Sequence, residues 1–237
     1  MNRVLQVTTT DDRLAPTPRR VFLDVGGHTG ESVIAAVDPR WGFDRIWTFE
    51  PTRGCVEALR GIADDRLTVV PAGWWSCDSQ MVIHDPGTLH ASVDPRVSGS
   101  GEVERCRFVD AAQWMADNIA PGDEVWLKMN IEGAEIEVLD RLLASGEIAK
   151  VTHLVVWFDI EMLGEPAKAA AMRARLNRAG VPWREAHTVM FGRTDTVKVN
   201  TWLAWTQGRR LQFTRRKVEH LLRRGVFRLR RRLRARR

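Results

Sequence analysis

Three short stretches of this chain combine residue types that can hold and polarise a small ligand. The first is LDVGGHTGES, in which Asp24 is followed by Gly26, Gly27 and Gly30. Glycine lets the backbone approach a ligand closely and take positive φ, and a helix that opens after the turn offers free N–H groups. The spacing narrows the ligand. A dinucleotide fingerprint starting at Gly26 needs glycine at positions 28 and 31, where His28 and Glu31 stand, and no Gly-Lys-Ser/Thr follows to make a phosphate loop. What remains, an acid followed by G-G-x-x-G, suits a cofactor with a cationic sulfonium and an amino-acid end better than one with phosphates. Asp24 is expected to hold that amino-acid end directly or through water, with His28 in the same cradle.

The second stretch is WTFEP, where Glu50 lies at the end of the next apolar run. A carboxylate there can accept both hydrogen bonds of a ribose diol. The plainer alternative is that Asp24 and Glu50 only cap helices at strand ends. The third is WLKMNIEGAEIEVLDRLL, Trp126 to Leu143, where a strand gives way to a helix through Asn130, Glu132 and Gly133. Ligands of open α/β sheets bind outside the carboxyl ends of strands, so Asn130 and Glu132 should face the cofactor. Glu135 and Glu137 read as acids that complement the helix dipole. For Glu132, a functional and a capping role stand level.

Group transfer at such a site asks the protein for proximity and for a base near the strand ends. The candidates are Glu132 and Asp159, with His84, His90 and His28 behind them. The six histidines are scattered without metal-ligand spacing, and no metal is expected. Ten tryptophans and no tyrosine are present; sugars stack on indole faces, but core packing is the ordinary use.

These residues need a scaffold of alternating strands and helices, and the apolar periodicity supplies one. Strands are expected at Val21–Val25, Arg45–Phe49, Leu67–Pro71, Glu124–Met129 and Thr152–Phe158, and helices at Thr29–Val37, Arg53–Ile62, Gly133–Leu143 and Pro166–Ala179. Met81–His84 reads as part of a hairpin, and Asp85–Gly101 as a Gly/Ser/Pro-rich loop. Val181–Phe191 and Val197–Trp205, joined by polar residues, read as a closing antiparallel hairpin. The expected fold is α/β: a doubly wound, seven-stranded, mostly parallel Rossmann-like sheet ending in that hairpin and a basic helical tail.

DVGGHTG at Asp24 to Gly30 and LKMNIEGAE at Leu127 to Glu135 resemble the paired motifs of the FkbM family of S-adenosylmethionine-dependent methyltransferases. FEP at Phe49 to Pro51 and VVPAGWWSCDS at Val69 to Ser79 are similar to that family's second and third landmarks, and the resemblance spans Val21 to Phe158. It implies O-methylation of a hydroxyl on a saccharide, glycolipid or natural-product acceptor. Asn130 stands where the family usually has Asp, and Trp157 where an acid often ends the next strand. Asp159, two residues on, can supply that charge. The Asn130 departure keeps a second reading open, a catalytically impaired cofactor-binding module.

A chain of 237 residues fits one α/β domain that needs no staples. Cys55, Cys77 and Cys106 are odd in number and widely spaced, which argues against a disulfide framework and points to a reducing, cytoplasmic setting. No apolar run is long enough to span a membrane, and no secretory leader is visible. The net charge of +6 conceals an asymmetry. Residues 208–237 hold fourteen Arg or Lys and one acid, whereas residues 1–207 hold 22 Lys or Arg against 29 acids. We therefore divide the chain into a methyltransferase-like domain, 1–207, and a basic amphipathic tail, 208–237. In the tail, Val218, Leu222, Val226, Leu229 and Leu233 form one stripe. Such a helix suits an anionic membrane surface, which would place the protein at the inner membrane face. Nucleic acid is the less favoured partner, since no base-reading motif accompanies the charge; it would make the chain an RNA methyltransferase. A solvated extension is the remaining reading.

Overall fold

The computed structural model describes residues 17–209 apart from Ser98, together with 211, 213–221 and 223. The chain builds a parallel sheet in two halves. In the first half, β1 (Arg20–Val25) leads into α1 (Glu31–Ala36), β2 (Arg45–Phe49), α2 (Arg53–Arg60) and β3 (Leu67–Val70). An insert follows, made of β4 (Gly73–Trp75), β5 (Ser79–His84), β6 (Val103–Asp110) and α3 (Ala111–Asn118). The second half runs β7 (Glu124–Met129), α4 (Glu135–Ser145), β8 (Val151–Val156), α5 (Pro166–Arg178), β9 (Trp183–Glu185), α6 (Ala186–Val189) and α7 (Asp195–Thr206).

The main sheet has the order β3-β2-β1-β7-β8-β9, and every pairing in it is parallel. The order reverses between β1 and β7, which opens a crevice at their carboxyl ends. Side chains of a strand alternate between faces, so β1 divides its apolar residues between two cores. Val21, Leu23 and Val25 join Met115, Leu139, Leu142 and Leu176 beneath α3, α4 and α5. Phe22 joins Ala35 and Ala36 of α1 and Trp202 of α7 on the other face. Each such buried Leu or Phe contributes roughly 1.5–3 kcal/mol relative to exposure. Asp24 and Lys128, two positions beyond Phe22 and Trp126, therefore share the α1 face.

The second sheet is small, with order β4-β6-β5, and contains the only antiparallel pairing among the described strands, β5 with β6. Asp110 ends β6 and caps α3: its Oδ1 accepts from the N–H of Ala112 at 2.9 Å and of Gln113 at 3.2 Å. Met81–His84 thus has an antiparallel partner, reached through the long loop rather than a tight turn.

Two expectations are corrected. Among the described residues the main sheet has six strands, not seven, and no antiparallel hairpin closes it. Val197–Trp205 lies inside α7, while the preceding apolar segment supplies β9, parallel to β8, and then α6. Val, Thr and Trp favour strands locally, but the Thr194 side chain accepts from the Val197 N–H and starts a helix. Val199, Trp202 and Leu203, spaced by three and one, then bury one face of that helix. Tertiary packing of the apolar stripe outweighs β-propensity, which spans only about 1 kcal/mol.

Of the tail, residues 213–221 are helical. Leu222, Val226, Leu229 and Leu233 of the expected stripe lie outside the described residues. No helix among the described residues is long and apolar enough to cross a membrane.

Candidate functional site

A cleft opens at the crevice between β1 and β7, enclosing about 720 Å³ of space with the solvent at its mouth included. Its inner wall is the carboxyl end of the sheet: Gly26 and His28 after β1, Glu50 after β2, and Asn130 and Glu132 after β7. Its outer wall comes from the insert, where Trp74, Ile83, Val93 and Phe108 make it largely apolar. Five of the expected site residues therefore meet in one place. Asp24, Gly27, Gly30 and Asp159 lie behind it or beside it.

The turn after β1 is stitched to β2 rather than left open. The N–H groups of Gly26 and Gly27 both donate to the Phe49 carbonyl at 3.0 Å, and that of Gly30 donates to the Gly27 carbonyl at 3.0 Å. The His28 N–H donates to Glu50 Oε2 at 2.9 Å. Gly26 has φ +87°, and a Cβ there would lie 1.9 Å from the Asn130 carbonyl oxygen. Gly27 meets a similar limit, since its Cβ would lie 2.1 Å from Thr48 Oγ1. The chain's own close packing thus dictates these two glycines, independently of any ligand.

Glu50 is buried, and its other oxygen, Oε1, accepts from the Thr52 N–H at 3.0 Å and from Thr52 Oγ1 at 2.7 Å. Capping and ligand contact are compatible in this residue. A carboxylate has about four lone-pair sites, so three internal donors fix its orientation without exhausting it. Cys55 also lines the cleft, its thiol pushed up from the ordinary value chiefly by burial.

Asp24 is fully buried, opposite Lys128 in the β1–β7 register. Lys128 Nζ lies 2.9 Å from Asp24 Oδ1, while its aligned hydrogen bond, 2.6 Å, goes to the Gly26 carbonyl. Thr48 Oγ1 donates to Asp24 Oδ2 at 3.4 Å, and Oδ1 has no aligned donor. Burial pushes Asp24 upward and the Lys128 charge opposes it. Asp24 therefore neutralises the cation that grips the glycine turn. Lys128 was missed as a site residue, although one lysine inside the apolar run VWLKM was a readable signal. Its ammonium also lies 5.8 Å from the Trp157 ring centre, where an indole face attracts a cation. Trp157, in the place of an expected acid, is thus engaged with the same charge.

Past β7 the chain carries three carboxyls of raised proton affinity. Glu132 adopts φ +48° and its carboxyl is raised to about 7, first by burial and then by the negative charge of Asp159, with Lys128 opposing. Glu135 is fully buried and raised to about 8, chiefly by burial. Its Oε1 accepts from the Gly133 N–H at 2.9 Å, and Oε2 has no partner. Asp159 is raised to about 6 by burial, with Lys128 and His90 opposing. It lines a neighbouring cleft with Trp157, Glu161 and Glu185, at the ends of β8 and β9. The sequence reading of Glu135 as a dipole complement missed its burial. Glu137 remains on the surface, where Ser76 Oγ donates to it at 2.5 Å.

The loop after β5 is held firmly against these residues. Asp85, at φ +51°, accepts from the backbone N–H groups of Gly99 and Ser100 and from Ser100 Oγ, which lowers its proton affinity. Ser92 pairs with His84 and donates from its hydroxyl to the Glu132 carbonyl at 2.6 Å. Arg96 reaches Glu165 at 2.8 Å and the Leu163 carbonyl at 3.2 Å. The outer wall and the β7–α4 turn are thereby coupled. His84 and His90 belong to this loop region, and His90 is exposed.

No family model matches the chain, and no curated protein matches it. One solved structure is similar, the methyltransferase FkbM of Methylobacillus flagellatus KT, at 20% identity and a TM-score of 0.36 over 54% of this chain. The matched region spans 30% of that protein's length.

Proposed function

We propose that this chain is an S-adenosylmethionine-dependent methyltransferase that methylates a hydroxyl of a saccharide, glycolipid or natural-product acceptor. One observation carries the reading. The amides of Gly26, Gly27, His28 and Gly30 are all satisfied within the protein, that of His28 by the carboxylate of Glu50. The turn that precedes α1 therefore offers none of these four amides to a phosphate, which counts against a phosphate held by the turn itself. A ligand with a ribose diol and a positive charge agrees with an apolar cleft edged by Glu50, and the motifs resembling the FkbM family agree with it as well. The residues present fit S-adenosylmethionine: Glu50 would accept from the ribose hydroxyls, and the apolar outer wall would receive the adenine.

When bound, that cofactor supplies a methyl carbon made electrophilic by its sulfonium. The chain supplies the rest. Glu132, on the cleft wall and raised to about 7, accepts the proton of the acceptor hydroxyl. Burial first, and then the charge of Asp159, keeps Glu132 basic enough to do so. Lys128, paired with Asp24, fixes the turn that the cofactor would sit upon. Residues 1–207 form the transferase unit in this reading, and 208–237 are an appendage.

The test is a thermal melt of the full chain with S-adenosylhomocysteine, NAD or GTP, together with transfer of labelled methyl to a panel of glycans and hydroxylated metabolites. Only S-adenosylhomocysteine should raise the melting temperature, and Glu50→Gln should remove most of that rise. No shift at millimolar ligand sinks the proposal. Binding without any turnover would favour the impaired-module reading that Asn130 suggested.

A further inference from the structure

Among the described residues, the tail helix meets the body on one side. Phe213 and His220 place their rings 5.7 and 5.3 Å from that of Phe191. Arg216, Glu219 and Arg223 close over Gly192, Arg193 and Val197. At about 100° per residue, Phe213 and His220 project in nearly the same direction. Leu211, Val218 and Leu221 project in roughly the opposite direction, within about 80° of one another. All three are exposed, at 89%, 48% and 55%. An apolar face that a helix turns outward, with its other face already packed, lacks the ordinary reason for being apolar.

Charge identifies the occupant. The only acid of residues 208–237, Glu219, is engaged by Arg215 at 3.1 Å and Arg216 at 3.2 Å. The remaining cations of this segment are therefore not neutralised from within it. Along the sequence Arg209 and Arg210 precede Leu211, Arg216 and Lys217 precede Val218, and Arg223 follows Leu221. Apolar residues flanked by arginine match an interface of acyl chains beneath anionic headgroups.

We infer that the helix carrying Leu211, Val218 and Leu221 docks this protein on an anionic lipid bilayer, with these three residues entering the acyl boundary and the cations beside them contacting headgroups. The docking is independent of the methyl-transfer reading and stands or falls separately. It places the Phe191 side of the body toward the bilayer.

The experiment is co-sedimentation of the full chain with vesicles of phosphatidylcholine alone and of phosphatidylcholine mixed with phosphatidylglycerol, at ~0.15 M salt. A Val218→Ser/Leu221→Ser variant is run alongside it, with the body's melting temperature as the folding control. The expected result is sedimentation with the mixed vesicles only. Each serine should weaken the partition on the order of tenfold, as loss of a buried Val or Leu predicts, with charge unchanged. Unchanged sedimentation of the double variant overturns the inference, because charge alone would then suffice. Equal sedimentation with neutral vesicles overturns it too. So does duplex RNA that binds as tightly at the same salt and displaces the vesicles, or a concentration-dependent dimer that the serines abolish, since either would assign the face to a different occupant.

Discussion

Asp24 and Lys128 stand directly opposite each other on β1 and β7, with Oδ1 and Nζ 2.9 Å apart and neither side chain more than 6% exposed. The pair sits under the crevice, at the point where the strand order reverses. Removing one partner strands the other charge in the core. Lys128→Met should cost about 3–5 kcal/mol, and the double variant Asp24→Asn/Lys128→Met should recover much of it. Urea denaturation near pH 7 measures both. Equal loss in the single and double variants would show that lysine packing, not charge, is what matters.

The contact between Gly27 and Thr48 predicts a second coupling. Gly27→Ala drives a methyl to 2.1 Å from Thr48 Oγ1, so it should destabilise strongly, by roughly 1–3 kcal/mol. Thr48→Ala removes that oxygen and leaves the flexible end of Leu59, at 3.2 Å, as the tightest contact of the alanine at 27. A double-mutant cycle by chemical denaturation should give a coupling of at least about 1 kcal/mol in favour of the double variant. Additive losses would mean that the strain lies elsewhere in the turn.

Activity should follow the ionisation of Glu132. As a base it works only when deprotonated, so kcat/KM should rise with pH to a plateau above about 7. Asp159→Asn removes the negative charge that raises Glu132, which should move the midpoint to lower pH. Lys128→Met removes the opposing positive charge and should move it higher. A pH profile unmoved by either substitution would take Glu132 out of the reaction.

Glu135 makes the fold itself sensitive to alkali. Its carboxyl has a pKa of about 8 in the folded chain against an ordinary 4.5. Between those values the folded chain keeps a proton that the unfolded chain has released, so stability falls as pH rises through that window. Glu135→Gln cannot lose a proton there. The variant should gain on wild type from about pH 5 upward, reaching on the order of a few kcal/mol above pH 8. Melting temperatures across that range test it, and parallel curves for the two proteins would refute it.

Most of the first half of the sheet was legible because its strands are short apolar runs stopped by glycine or proline, as at Val25 before Gly26. β6 was not, since Val103–Asp110 alternates charged and apolar residues beside a loop and gives no run of its own. The expected closing hairpin failed for a different reason. The residues of α7 carry strand-like composition, and only the Thr194 cap and a buried face against α1 decide in favour of helix. In the site, Glu50 and Asn130 were readable because position at a strand's carboxyl end is a topological property. The burial of Glu135 was not, because it depends on Gly133 folding its own N–H back onto the carboxylate.

The two walls of the cleft have separate origins along the chain. The inner wall is gathered from three distant strand ends, so any change to it is felt by the whole sheet. The outer wall is one contiguous stretch, Gly73 to Phe108, clasped by Asp85 and pinned at Ser92. Such a stretch varies as a unit between its anchors, of which Trp74 is packed against Phe49 of β2. A change in its length or lining would reshape what the cleft admits, while the strand ends that carry Glu50 and Asn130 stay in place.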